Sequence, residues 1–329
     1  MNYLNLTTTD PAFNLAVEEY VFNYLPKDRM YVMLWQNDNA IIIGKNQNTL
    51  AEINEAYVKE QGIRVVRRLS GGGAVYHDMG NLNFTVIADA QGESLDFGRF
   101  CALVVKALQR VGVKAEINGR NDMTIEGRKF SGNAQYLRQG RVMHHGTILF
   151  DSDTSVLASA LQVDESKIQA KGVKSVRSRV TNVRPCLPED MTLPQFRQVL
   201  LDTILAETPG VEYVLTKQDL EIVEKLKKER YDTWEWNYGH NPACTLHKKA
   251  RVEGSGTVEA FITLREGKIS QITFRGDFFG VQDPEQLGEL LIGCRPDRAS
   301  LEEKLSETDV SRYFMGLNKT DLVGILADS

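Results

Sequence analysis

Residues 122–150 read DMTIEGRKFSGNAQYLRQGRVMHHGTILF, and this stretch decides the fold class. Extended runs at 122–126, 129–137 and 142–150 are separated by the pairs Glu126-Gly127 and Gln139-Gly140. An X-Gly pair between two such runs marks a tight hairpin. Strands joined by hairpins run antiparallel, whereas a parallel winding needs a helical crossover between each pair. Further strands are expected at 113–117, 82–88, 74–76, 63–68, 40–44 and 30–35. Helices belong at 96–111, where Phe100, Leu103, Val104 and Leu108 share a face, and at 52–61, closed by Gly62. Asp10-Pro11 supplies an N-cap and a first-turn proline, so residues 11–25 form an amphipathic helix. Hairpin-linked strands mixed with helices argue for an α+β protein.

Helical patterns return at 153–161, 192–207 and 216–230, followed by an aperiodic connector at 231–245. Beyond it the texture changes. Residues 250–275 alternate like a small meander, with turns at Gly254-Ser255-Gly256 and Glu266-Gly267, and helices follow near 284–292, 298–305 and 318–326. A boundary near residue 246 divides the chain into a large domain, 1–246, and a small α+β domain, 247–329.

Composition narrows the class. The 329 residues are 42% hydrophobic and 25% charged, which is ordinary for a globular protein and excludes a disordered or collagen-like chain. Lys+Arg 39 against Asp+Glu 44 leaves a net charge of -5, so no nucleic-acid or anionic-membrane partner is expected. Cys101, Cys186, Cys244 and Cys294 form no C-x-x-C pair and suit reduced thiols better than disulfides or zinc. The N-terminus lacks a signal-peptide pattern, and no apolar run is long enough to span a bilayer. A cytoplasmic enzyme is the expectation.

Four local features could carry chemistry. In RRLSGGGAVYHD (67–78), the consecutive Gly71, Gly72 and Gly73 leave the backbone bare for a ligand. Arg67 and Arg68 would add fixed positive charge for an anion. No P-loop or dinucleotide motif matches in context, and a glycine-rich bulge with no ligand fits the residues equally well. Asn121-Asp122 and GRKFSGNA (127–134) place Lys129 on a strand just before Ser131-Gly132. Its ammonium could neutralise a phosphate and a carboxylate, or it is an ordinary solvated lysine. Asp122 could hold magnesium through one carboxylate, or serve as a turn residue. His144 and His145, adjacent on a strand, point to opposite faces, so at most one faces a pocket. Finally, residues 171–179 carry Lys171, Lys174, Arg177 and Arg179 with Ser175 and no acid, as a solvated loop or an anion-closing flap.

These features, in this order, resemble the lipoate–protein ligase A family. The matching stretches are DPAFNLAVEE, RRLSGGGAVYHDMGNLNF, GRNDM, GRKFSGNAQY, HHGTILFD and KGVKSVRSRVTNV, and TWEWNYG is similar to the family's junction before a C-terminal accessory domain. The resemblance covers nearly the whole chain. It implies a mixed-sheet catalytic domain shared with biotin ligases, and a two-step reaction in the cytoplasm. Lipoate and ATP, with Mg2+, form lipoyl-AMP and pyrophosphate; a lysine amine of an apo lipoyl domain then takes the lipoyl group and releases AMP. The acceptor would be a 2-oxoacid dehydrogenase acyltransferase subunit or a glycine-cleavage carrier, and a monomer is the default.

By the same resemblance Lys129 matches the catalytic lysine. Arg68, Ser70, Gly71, Gly72, Gly73, His77, Asn81 and His145 match positions around lipoate and its adenylate, with Leu15 and Trp35 as apolar wall. Asn121, Asp122, Lys129, Ser131, Lys171, Ser175 and Arg177 fall on the nucleotide side, with Asp122 as the magnesium position. Asp78 and Glu19 are candidates for the base only by charge. Rivals are an octanoyl transferase working through a cysteine, against which no cysteine falls inside the motifs; a biotin ligase, whose adenylate loop differs; and a non-catalytic lipoate or lipoyl-domain binder.

Overall fold

The computed structural model describes residues 1–90, 95–118, 121–161, 180–239 and 246–327. Its strands in chain order are β1 Asn2–Asn5, β2 Tyr31–Trp35, β3 Ala40–Ile43, β4 Arg64–Arg67, β5 Val75–His77, β6 Asn81–Asp89, β7 Glu116–Asn118, β8 Asp122–Ile125, β9 Arg128–Arg138, β10 Arg141–Leu149, β11 Val211–Glu212, β12 Leu246–Val252, β13 Gly256–Arg265 and β14 Lys268–Gly276. The helices are α1 Pro11–Asn23, α2 Thr49–Glu52, α3 Glu55–Glu60, α4 Gly98–Arg110, α5 Thr154–Ala160, α6 Leu193–Glu207, α7 Lys217–Leu226, α8 Trp234–Asn237, α9 Pro284–Leu291, α10 Arg298–Lys304 and α11 Lys319–Ala327.

An eight-stranded sheet runs β11-β1-β2-β6-β10-β9-β8-β7, parallel at β11-β1-β2 and antiparallel elsewhere. The hairpins fix its register. Ile125 opposes Arg128 and Arg138 opposes Arg141, leaving two-residue loops. Glu126 and Gly127 have φ of 50° and 73°, and Gln139 and Gly140 have 51° and 72°, the double left-handed turn that matches strand twist. A small sheet, β4-β3-β5, lies apart from the large one. This is the expected α+β architecture with mixed sheets.

One face of the large sheet packs on α4 and α6 through Phe84, Val104, Leu108, Phe196 and Leu200. The other buries α1, whose Ala12, Leu15, Ala16, Val17 and Val21 meet Met33, Trp35 and Ile42. Asp10 caps α1 by accepting from Ala12 N at 2.9 Å, with Pro11 at its first turn. Its far end is closed by a charge. Arg141 is buried, and Nη1 donates to the carbonyls of Val21, Phe22 and Leu25 at 3.0, 2.6 and 3.1 Å, with Nη2 reaching Pro26 O at 3.1 Å. A cation at a helix C-terminus satisfies orphan carbonyls and meets the negative end of the dipole.

The structure differs from the sequence expectation in four places. The helix expected at 52–61 is two short helices, α2 and α3, because Ile53 takes an extended conformation and bridges Leu161. The helix expected at 216–230 is regular only to Leu226, then widens into a π-turn at Lys227–Tyr231. The connector holds a short helix, α8, capped by Thr233. β1 and β11 were not expected; at four and two residues, they are too short to show a period.

Strands β12–β14 form their own three-stranded sheet, with α9, α10 and α11 packed on it around Ile262, Phe274, Leu287, Leu301 and Leu322. The segment after β14 reaches into the large part. Gly276 N donates to Asn46 O at 2.9 Å, Phe278 O accepts from Gly72 N at 3.2 Å, and Lys45 pairs with Asp283 at 2.7 Å. Phe279 is buried in the core between sheet and α4, its ring 5.4 Å from that of Phe97.

Arg141→Ala should cost about 3 kcal/mol of stability, because several helix-end carbonyls lose their donor at once. Arg141→Lys should recover only part, since one ammonium cannot serve both sides of the guanidinium fork. Urea denaturation of the three proteins checks both expectations.

Candidate functional site

A pocket opens between the large sheet and β4-β3-β5, enclosing about 600 Å³ with its mouth. α1 gives Leu15, β2 gives Trp35, β5 gives His77 and β10 gives His145; Arg68, Gly72 and Gly73 follow β4, and Lys129 comes from β9. Phe279 closes one side from the C-terminal module.

The floor is a chain of matched donors and acceptors. Trp35 Nε1 donates to Thr85 Oγ1 at 2.9 Å, and the Thr85 hydroxyl donates to Glu18 Oε1 at 2.5 Å. Glu18 receives His145 Nδ1 at 3.0 Å, while His145 Nε2 faces Ser70 Oγ at 2.6 Å. Arg68 Nε closes the run by donating to Ser70 Oγ at 3.0 Å. Every group in it is buried. Burial pushes the Arg68 guanidinium down to about 10, and the Glu18 charge opposes that shift. His77, also buried, is pushed down to about 3 by burial and by the charge of Arg68, so it is neutral.

His144 points the other way, as expected for a neighbour on the same strand. It packs against Phe84, Phe97 and Phe100, and burial holds it near 3 as well. Cys101, beside it at 3.9 Å, has a thiol pushed up to about 12 by burial, the reverse of what a nucleophile needs.

The mouth carries the charge. Lys129 Nζ sits 2.7 Å from Asp122 Oδ1, with the two side chains 40% and 37% exposed. Gly132 leaves room for that ammonium, since a Cβ there would lie 3.1 Å from Nζ. Asn121 and Asn133 are cross-tied, Asn121 Nδ2 to Asn133 O at 2.7 Å and Asn133 Nδ2 to Asn121 O at 3.0 Å. Val180 bridges Lys129, and Thr181 N donates to Lys129 O at 2.8 Å, which fixes residues 180–181 beside the lysine's strand.

The glycine loop is shaped by Arg68, whose Nη2 donates to Gly71 O at 2.6 Å and Gly73 O at 2.9 Å. Gly72 has φ of +88°, and a Cβ on it would lie 2.7 Å from the Phe279 ring. A glycine is required there on both counts. Arg67 corrects the expectation of a second anion-binding charge. It is fully buried, and its guanidinium is held by the carbonyls of Gly44, Lys45, Gln47, Trp236 and Asn237 and the hydroxyl of Thr49.

Of the residues singled out in the sequence, Leu15, Trp35, Arg68, Gly72, Gly73, His77, Asn121, Lys129 and His145 come together on the pocket wall. Ser70, Gly71, Asn81, Asp122 and Ser131 stand behind it. Asn81 Nδ2 donates to Asn83 Oδ1 at 2.9 Å, Ser131 Oγ accepts from Asn133 Nδ2 at 3.2 Å, and Gly71 lies against the Phe278 carbonyl. Lys171, Ser175 and Arg177 lie outside the described residues. Neither base candidate faces the pocket. Glu19 is buried and binds Arg230 and Tyr231 at 2.6 and 2.9 Å, while Asp78 accepts from the backbone N–H of Gly80 and Asp153 at 2.9 and 2.7 Å. Glu18, Asn83, Asn133 and Phe279 belong to the site or its support without having been expected from the sequence. Glu18, Asn83 and Asn133 lie inside quoted motifs, but Phe279 has no local signal.

Two family models match the chain: the lipoyl protein ligase A/B catalytic domain over residues 10–205 and the bacterial lipoate protein ligase C-terminus over residues 241–326. The chain is 44% identical over 327 residues to a Bacillus subtilis protein named lipoate-protein ligase LplJ, covering 98% of each. It is 43% identical to lipoate–protein ligase 1 of Staphylococcus aureus, again over 98% of each. Among solved structures, Plasmodium falciparum LipL1 in complex with lipoate superposes with a TM-score of 0.77 at 24% identity, over 93% of this chain and 94% of that one. The bipartite lipoate protein ligase of Thermoplasma acidophilum, solved in a study that includes its E2 lipoyl domain, gives 0.66 at 29% identity, over 74% of this chain and 98% of that one.

Gly72→Ala should cost about 2 kcal/mol, from the left-handed φ and the collision with Phe279 together. In a Phe279→Ala background the cost should fall by about 1 kcal/mol, because the collision is gone and only backbone strain remains. Equal costs in both backgrounds, measured by denaturation, would show that the ring does not press on the loop.

Proposed function

The chain belongs to the lipoate–protein ligase family, whose members form an amide bond, and on that premise we propose that it activates free lipoate with ATP and passes the lipoyl group to a lysine of apo lipoyl domains. The observation that carries this is Lys129, paired with Asp122 on the wall of a pocket that also gathers the apolar Leu15, Trp35 and Ile42 and the glycines Gly72 and Gly73.

The first step joins two anions. A lipoate carboxylate oxygen attacks the α-phosphorus of ATP, the bond to pyrophosphate breaks, and lipoyl-AMP forms. Two like charges 4 Å apart repel by about 4 kcal/mol at an effective dielectric near 20. A fixed ammonium at the meeting point removes that obstacle, and the Gly72–Gly73 backbone lets both groups come close. In the second step the acceptor amine attacks the carbonyl carbon and AMP leaves. Asn121 takes the nucleotide side, as the resemblance implies also for Lys171, Ser175 and Arg177. Cysteine-based octanoyl transfer is disfavoured, because no cysteine among the described residues lines the pocket.

Mg2+ is customarily held by one or two carboxylates together with substrate phosphates. Asp122, partly exposed beside Lys129, fits as the single protein ligand, and no group of three or more His, Cys, Asp or Glu gathers among the described residues. When bound, the ion would screen the phosphate charge.

We take residues 1–246 as the catalytic domain and 247–329 as the accessory domain of a monomer acting in the cytoplasm. No helix among the described residues is long and apolar enough to cross a membrane. The acceptor is a lipoyl domain of a 2-oxoacid dehydrogenase acyltransferase subunit or a glycine-cleavage carrier.

The test is mass spectrometry of purified protein with Mg-ATP and lipoate, with and without an apo lipoyl domain. Lipoyl-AMP and a lipoylated acceptor are the expected products, and neither forming would sink the proposal. Lys129→Ala should keep its fold, since the side chain is partly exposed, and should lose at least about 100-fold in adenylate formation. A folded variant that adenylates normally would remove Lys129 from the mechanism.

A further inference from the structure

Strand β4 is a sheet edge. The small sheet runs β4-β3-β5, so β4 pairs with β3 on one side and with no strand among the described residues on the other. Its last residue, Arg67, turns its main chain to that open side, because the residue after it is the one that donates to β3, Arg68 N to Ile43 O at 2.9 Å. Arg67 is fully buried, so an unmet N–H or C=O there would be costly. Two side chains of α8 stand in for the missing strand. Asn237 Oδ1 accepts from Arg67 N at 2.8 Å, and Trp236 Nε1 donates to Arg67 O at 2.8 Å. The carbonyls of the same two residues hold the guanidinium, Trp236 O accepting from Nε at 2.8 Å and Asn237 O from Nη2 at 3.3 Å.

Asn237 has one way to do this. Its Nδ2 donates to the Tyr231 carbonyl at 2.8 Å, so its oxygen is the end left for Arg67. The connector that carries these contacts is in turn tied to α1. Glu19, 3% exposed, accepts from Arg230 Nη1 at 2.6 Å and from the Tyr231 hydroxyl at 2.9 Å, and the Arg230 guanidinium lies 5.0 Å from the centre of the Trp236 ring. Glu18, one residue earlier, holds His145 and through it Ser70. Adjacent acids of one helix therefore fix two points on the segment that becomes the glycine loop. Glu19 reaches Arg67 through the connector, and Glu18 reaches Ser70 through β10. Glycine backbone has little rigidity of its own, so the place of Gly71–Gly73 is set by what holds the residues before them.

We propose that Trp236 and Asn237, although outside the pocket, are positioning residues of the ligase reaction: by closing the edge of β4 at Arg67 they set where Gly72 and Gly73 stand against the forming acyl-adenylate. This rests on the ligase function proposed above and assigns part of its active-site geometry to the connector. The apolar wall lies on α1, β2 and β3, and Lys129 on β9, so a loosened loop leaves the grip on the acid in place and spoils the alignment of the reacting groups.

The test is the kinetics of lipoyl-AMP formation by the full chain. Asn237→Ala should lower kcat about ten-fold while KM for lipoate stays within about two-fold. Asn237→Asp keeps an oxygen for the Arg67 N–H but gives up the donor to Tyr231, and should recover most of the rate. Equal losses in the two variants would overturn the proposal, because the Tyr231 contact would then be the one that matters. A loss carried by KM alone would do the same. Trp236→Phe removes only the indole N–H, serves if Asn237→Ala does not fold, and should show the same split at about three-fold. Loop order gives a second readout. In 15N-glycine spectra without ligand, the amides of Gly71 and Gly73 should gain nanosecond motion in Asn237→Ala and Trp236→Phe. Amides as ordered as in the wild type, whatever the stability of the variants, would rule the positioning role out. If the wild-type protein forms no lipoyl-AMP, the ligase proposal fails by itself, and the loop amides still decide whether the connector orders the loop.

Discussion

Two guanidiniums in the interior set the terms for everything around the pocket. A buried arginine must find acceptors for its whole donor fork, and Arg67 finds them almost entirely in main-chain carbonyls: the turn after β3, the start of α2 and the end of α8. Burial and the neighbouring charges of Arg275 and Arg68 push it down to about 9, far below the ordinary range, yet still charged at neutral pH. Three segments distant in sequence are thereby pinned to the residue that begins the glycine loop. Arg68 then does for the loop what Arg67 does for its base, holding the carbonyls of Gly71 and Gly73, while the Gly72 N–H donates to Phe278 O. The loop is bare because it is glycine, and ordered because it is tied.

Polarity inside the pocket is divided by depth. At the floor, the run from Trp35 through Thr85, Glu18 and His145 to Ser70 is a buried chain of hydrogen-bonded groups that rigidifies the site. At the mouth, Lys129 and Asp122 form a partly solvated pair that costs little to separate. A chain with an apolar middle and one charged end fits such a gradient from either side of its chemistry.

What the sequence disclosed was local, and what it concealed depended on contacts across the chain. The β8–β9 and β9–β10 hairpins were legible because an X-Gly pair states its own geometry, and α1 because Asp10-Pro11 caps it. The pocket wall was legible to the extent that glycine, lysine and histidine are costly to place without reason. Glu18 was overlooked in favour of Glu19 because two adjacent acids on a buried helix look alike until the strand opposite is known: Glu18 meets His145, and Glu19 meets Arg230. Arg67 was misread for the same reason, its six acceptors lying up to 170 residues away. The helix expected at 52–61 is interrupted by a bridge to Leu161 that no window around Ile53 contains.

Phe279 gives the order of synthesis a physical meaning. Its ring packs in the core of the catalytic part, against Phe97 and over Gly72, although it is made some 180 residues after the former. A ribosome that has delivered the whole large sheet has still not delivered one wall of the pocket. The nascent chain must hold an apolar notch open between α4 and the glycine loop until the last fifth of the protein emerges to fill it. A polypeptide released before residue 279 would carry Lys129 beside a pocket that lacks one of its walls.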